Sequence, residues 1–67
     1  MRTYSEQFDK YYDTEDTVRI RDPKQQRLYI KHGAKVVDLF YDDIIVYVFN
    51  KADTFDLYKK WKERTLD

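Results

Sequence analysis

Fourteen residues from Val36 to Phe49 constrain this chain more than any other stretch. They are rich in Val, Ile, Tyr and Phe, and their centre is broken by Asp42-Asp43. β-Branched and aromatic side chains in short runs favour strands over helix. A two-residue turn at Asp42-Asp43 then folds the stretch into a β-hairpin. Counting outward from that turn pairs Tyr41 with Ile44, Leu39 with Val46 and Val37 with Val48 on one face. The other face pairs Phe40 with Ile45, Asp38 with Tyr47 and Val36 with Phe49. Both faces are mostly apolar, whereas a hairpin with one wet face alternates cleanly. Something must therefore cover part of the second face. Any part left bare is the expected interface, with Val36, Phe40, Ile45, Tyr47 and Phe49 as its residues.

The flanking segments supply helices. Asp22 precedes Pro23, and Gln25 lies three residues after Asp22. This is a start signal: Asp22 as N-cap, Pro23 at the first helical position, and Gln25 reaching back in a capping box. Gly33 stands where a left-handed C-cap residue is wanted, so the helix is expected over Pro23–His32. A second helix is expected over Lys51–Arg64. Asn50 is placed to cap it, and Asp53 suits its positive end. Thr54, Leu57, Tyr58 and Trp61 follow helical spacing, and Lys59, Lys60, Lys62 and Arg64 load its last turns. Trp61 is its expected anchor on the hairpin. Thr17–Arg21 alternates as a short strand.

The first 16 residues are more ambiguous. Thr3 and Glu6 fit a capping box, and Tyr4, Phe8 and Tyr11 or Tyr12 recur at helical spacing. A helix covering the second sheet face, a strand, or a tail ordered in an oligomer all satisfy the pattern. The fold class that follows is α+β. A short strand, a helix, a β-hairpin and a C-terminal helix pack on a small antiparallel sheet over residues 17–67, preceded by an aromatic and acidic segment over 1–16.

At 67 residues the chain allows one domain. Total stability for that length is about 3–10 kcal/mol. With no cysteine there is neither a disulfide framework nor a cysteine zinc site. Aromatic packing is left as the staple, since 18% of residues are Phe, Tyr or Trp. No apolar run approaches the roughly 20 residues of a membrane span, and the N-terminal residues lack a signal-peptide core. A cytoplasmic protein is expected.

Catalytic parts are scarce. His32 is the only histidine and belongs to no metal-spacing motif. At a helix end it suits the last carbonyls or the core. Gly33 is the only glycine, so there is no phosphate-cradling loop, and Ser5 lies outside any nucleophile-elbow context. Asp42 and Asp43 are a carboxylate pair, but turn positions favour Asp for its dihedral tolerance and hydration. No enzyme activity, cofactor or metal is expected.

Formal charge sums to zero, yet it is blocked along the chain. Residues 1–16 carry net −3, 17–36 carry +5, 37–58 carry −4 and 59–67 carry +2. Mutual neutralisation across a small surface is the expected outcome. Arg19, Arg21, Lys24, Arg27, Lys31 and Lys35 form a basic stripe that fits a phosphate backbone or an acidic partner. The sequence pI of 6.6 argues against a dedicated nucleic-acid module.

Residues Asp22-Pro23-Lys24-Gln25-Gln26-Arg27-Leu28-Tyr29-Ile30-Lys31-His32-Gly33, with Asp38-Leu39, Val46-Tyr47-Val48-Phe49-Asn50-Lys51 and Leu57-Tyr58-Lys59-Lys60-Trp61, carry a resemblance. Over residues 18–66 the chain resembles small uncharacterised proteins encoded by phages and integrative elements of Gram-positive bacteria. These are folding positions, so no functional residues transfer. The resemblance implies an origin on mobile DNA and an accessory role. The expected function is a non-enzymatic interaction protein that binds a protein partner, a second copy of itself included. Nucleic-acid binding through the basic stripe is the first alternative. The second is inhibition of a host nuclease or defence complex, with the acidic block around Asp38–Asp43 mimicking phosphate.

Overall fold

The computed structural model describes all 67 residues. Strands β1 (Arg2–Ser5) and β2 (Lys10–Asp13) form a hairpin, followed by a 3-10 turn at Thr14–Asp16. Strand β3 (Thr17–Ile20), helix α1 (Pro23–Lys31), strands β4 (Val36–Asp42) and β5 (Ile44–Asn50), and helix α2 (Lys51–Lys62) complete the chain. β3, β5 and β4 make a three-stranded antiparallel sheet in that order, so the more apolar of the two seven-residue strands lies in the middle. The α+β class expected from the sequence is the class observed.

The N-terminal helix gives way to a hairpin. Tyr4 sits opposite Tyr11 and Thr3 opposite Tyr12, with the Tyr4 and Tyr11 rings 5.1 Å apart in an edge-on arrangement. Tyr4 and Tyr11 are seven residues apart. That spacing also equals two helical turns, which is why the pattern reads both ways. Thr3 and Glu6 therefore form no capping box. The Tyr4 hydroxyl donates to Asp9, whose φ of 53° lets the chain reverse.

The β4–β5 register differs by one residue from the expected one. Asp42 pairs with Ile44, and Asp43 alone makes the reversal at φ 64°. Tyr41 therefore meets Ile45, Phe40 meets Val46, Leu39 meets Tyr47, and Asp38 meets Val48. An irregularity between Val36 and Asp38 absorbs the slip, so Val36 still meets Phe49 as expected. A one-residue slip exchanges faces. Leu39, Tyr41, Ile45 and Tyr47 share the helix side of the sheet. Asp38, Phe40, Val46 and Val48 share the side facing the β1–β2 hairpin.

α1 begins and ends as its sequence dictates. The Asp22 carboxylate accepts from Lys24 N at 2.8 Å and Gln25 N at 3.2 Å. Gly33 takes φ 92°. Ala34 N donates to Tyr29 O and Gly33 N to Ile30 O, both at 3.0 Å, which completes a Schellman end. Gln25 makes no capping box; its amide donates to the Tyr29 hydroxyl at 2.9 Å. Gln26 ties the helix to the sheet by donating to Ile20 O at 2.6 Å and Ile45 O at 2.9 Å. Both glutamines are buried, and no buried side-chain polar atom is left without a partner.

The core gathers Ile20, Tyr29, Ala34, Phe49 and Leu66. Tyr29 and Phe49 are completely buried, with rings 5.5 Å apart at 68°. Trp61 is half-buried against this cluster, so the central rings are Tyr29 and Phe49. α2 ends two residues earlier than its sequence suggests. Arg64 adopts φ 61°, and Thr65 N reaches back to Lys60 O at 2.9 Å, a second Schellman end built without glycine. The reversal returns Leu66 to the core. His32 Nε2 donates to the Asp67 carbonyl oxygen at 2.6 Å and closes the tail on α1.

Candidate interaction surfaces

The helix side of the sheet is not covered to its end. Tyr41 and Ile45, directly opposite each other beside the reversal, are 77% and 52% exposed. Tyr47 follows on the same face. Ile30 of α1, also exposed, shares a shallow pocket of about 350 Å³ with Gln26, Arg27 and Tyr47. The hydrogen bond that the Gln26 amide donates to Ile45 O holds helix and strand together beneath this patch. Of the interface residues expected from the sequence, Ile45 and Tyr47 belong here and Val36 is half-buried. Phe49 is fully buried and presents nothing to a partner. Phe40 moves to the opposite face through the register shift, where the Arg19 guanidinium lies 5.3 Å from its ring centre. The sequence missed Tyr41 and Ile30, because their exposure depends on the true register and on where α1 ends.

The other side of the sheet is held by a polar lock. Asp38 is only 6% exposed. Its carboxylate accepts from Ser5 Oγ at 2.7 Å, from the Tyr12 hydroxyl at 2.7 Å and from Leu39 N at 2.8 Å. Ser5, itself fully buried, also accepts from Phe8 N at 3.2 Å. Burial pushes the Tyr12 hydroxyl up to about 12, and its hydrogen bond to Asp38 adds to the rise. The β1–β2 hairpin is thus fastened to β4 through one buried carboxylate. Asp38 is withdrawn from any exposed acidic surface, and Asp42 is engaged by Arg21 at 3.2 Å. The acidic block read from the sequence is broken up.

The basic stripe is divided as well. Alternation along β3 turns Val18 and Ile20 toward the helices and core, so Arg19 and Arg21 lie on the far side of the sheet from α1. Lys24, Arg27 and Lys31 remain together on the exposed side of α1, and the Lys35 backbone N–H is turned to Asp53 at 3.3 Å.

Only one Lys or Arg side chain forms an ion pair: Arg21 with Asp42. The two other ion pairs use the Met1 amino group. Arg21–Asp42 is thus the one direct ion pair between the basic block of residues 17–36 and the acidic block of 37–58. Four of the unpaired cations, Lys51, Lys59, Lys60 and Lys62, lie on α2, with Arg64 just beyond its end. One cleft of about 590 Å³ lies between α1 and the end of α2, lined by Lys24, Tyr58, Trp61, Lys62, Arg64 and Asp67 among others. A second, of about 450 Å³, is lined by Val18, Lys51, Phe55, Tyr58, Lys59 and Lys62 with Thr54. Phe55 is 77% exposed and Tyr58 52%. The sequence had read the lysines of α2 only as partners of the helix dipole, because helical periodicity alone does not say which rings point outward.

No group of three or more His, Cys, Asp or Glu side chains is placed to hold a metal ion, and no helix is long and apolar enough to cross a membrane. No family model, curated protein or solved structure matches the chain.

Proposed function

We propose that the protein is a small non-enzymatic binding module that engages a protein partner through the open end of its sheet. The observation that carries this reading is the patch formed by Ile30, Tyr41 and Ile45 beside Tyr47. Exposed apolar side chains from a helix and both strands of a hairpin converge there, on a scaffold fixed by Gln26. Contiguous apolar surface of this kind, with an aromatic at its centre and charge at its rim, suits protein recognition. Arg27 and Asp43 supply rim charges of opposite sign. In keeping with the resemblance drawn from the sequence, the proposed setting is an accessory role for a phage or integrative element in the bacterial cytoplasm.

The test is capture of partners from host lysate by the protein and by a Tyr41→Ser/Ile45→Asp variant, with light scattering on both. Both side chains are exposed, so the variant keeps its far-ultraviolet circular dichroism. The expected result is a partner retained by the wild type and lost by the variant, or self-association lost in the same way. Equal behaviour of the two proteins overturns the assignment.

A further inference from the structure

We propose that the outer face of α2 binds single-stranded nucleic acid. Lys51, Phe55, Tyr58 and Lys62 are spaced four, three and four residues apart, which places them in one line along a helix. The line extends about 16 Å along the axis. At that spacing a stripe normally faces a core. Here the core-facing positions are a different set, the buried Thr54 and the half-buried Leu57 and Trp61. The outward stripe contributes little to folding, yet it carries two large exposed rings bracketed by lysines.

The chemistry of the two clefts is continuous, because Tyr58 and Lys62 line both. Lys62 Nζ lies 5.6 Å from the Tyr58 ring centre, so charge and ring are presented to one ligand. Together the clefts offer five cations, Lys24, Lys51, Lys59, Lys62 and Arg64, against the single carboxylate of Asp67. None of the five is in an ion pair. The other acids of α2, Asp53 and Asp56, line neither cleft, nor does Glu63 beyond its end. A positive track with flat rings set into it matches a strand whose phosphates meet the lysines and whose unstacked bases lie on Phe55 and Tyr58. A duplex keeps its bases stacked and has no use for the rings. An acidic peptide would use the cations alone. This surface differs both from the sheet-end patch and from the basic stripe on α1.

The experiment is fluorescence anisotropy with labelled oligo-dT and oligo-rU of roughly 10 nucleotides. A duplex of equal length and poly-glutamate serve as competitors. Binding to at least one single strand is expected, and the two labelled probes show whether DNA or RNA is preferred. Contacts with three to five phosphates give a log–log salt slope of roughly −2 to −3.5. Phe55→Ala and Tyr58→Ala should each weaken binding about tenfold or more. Lys59→Glu/Lys62→Glu should abolish it, whereas Arg27→Glu/Lys31→Glu should leave it unchanged. All these side chains are exposed, and unchanged circular dichroism confirms that each variant is folded. The proposal is overturned by absence of binding at low salt, by indifference to both ring substitutions, by equal competition from duplex or poly-glutamate, or by loss of binding only in the α1 variant.

Discussion

The two faces of the three-stranded sheet are covered in opposite ways. On one side α1, α2 and the returning Leu66 close an aromatic core around Tyr29 and Phe49. On the other side, where Val46 and Val48 are buried, the β1–β2 hairpin is fastened by Ser5 and Tyr12 to the buried Asp38 carboxylate. The first cover is pinned by the two Gln26 hydrogen bonds but held mainly by area removed from water, which has no preferred direction and tolerates small displacements. The second depends on directed bonds to a charge, which lose most of their value when one partner moves. The helix side is therefore the foundation of the domain. The hairpin side is a cover whose attachment is specified at one point.

The sharpest way to break this contrast is to attack each side at its centre. Phe49→Ala should cost about 3–5 kcal/mol, from lost burial and the cavity left behind. That is comparable with the whole stability of a domain this size. Thermal unfolding followed by circular dichroism should show one cooperative loss of sheet and helices together. Asp38→Ala should cost less, about 1–3 kcal/mol, by leaving the Ser5 and Tyr12 hydroxyls without their acceptor. Its signature is local: amide hydrogen exchange should rise across residues 2–13, while β5 and α1 stay protected. Global loss of protection in Asp38→Ala would remove the distinction between foundation and cover.

Alkali offers a reversible version of the same test. Tyr12 has its hydroxyl raised to about 12 by burial and by the bond to Asp38. A group whose folded value is raised lends its stability fully below its unfolded value of about 10. That contribution is lost as pH climbs through about 12. The hairpin should loosen across this window, read by exchange or by proteolysis within residues 1–16. In Tyr12→Phe that ionisation is gone, and the alkaline step at the hairpin should shrink to what Tyr4 contributes, whose hydroxyl is raised by its bond to Asp9.

The smallest effects concern the two helix ends on the foundation side. Gly33 and Arg64 occupy the same left-handed position in equivalent motifs. A methyl group at Gly33 would meet nothing within 4 Å, so the cost of Gly33→Ala is backbone strain alone. It should be about 1 kcal/mol. Arg64→Gly should run the other way and raise stability by up to about 1 kcal/mol, seen as a higher thermal midpoint.

Much of this architecture was legible in advance, and the reason lies in range. Asp22, Pro23 and Gly33 act on backbone groups within one turn, so the limits of α1 follow from local chemistry. The strand character of Val36–Phe49 is equally local. Other features were not legible because distant groups decide them. The register of β4 depends on which side chains each cover accepts, and the slip places Asp38 under Ser5 and Tyr12 while Phe40 sits beside Arg19. Gln25 turned from its cap to Tyr29, since a buried hydroxyl demanded a partner. Leu66 entered the core because Arg64 reversed the chain. The hairpin over residues 2–13 could not be told from a helix while the two periods coincided at Tyr4 and Tyr11.

The amino-acid sequence by itself determined the α+β class, the start and stop of α1, the existence of the β4–β5 hairpin and the need to cover both its faces. These follow from dihedral preference, capping and the alternation of apolar side chains, all short-range properties. Only the tertiary structure decided what covers the second face, which rings remain outside and which charges find partners. Those outcomes depend on side chains brought together from opposite ends of the chain. Here that assembly buried Asp38, divided the basic stripe between two faces and left the cations of α2 unpaired beside Phe55 and Tyr58.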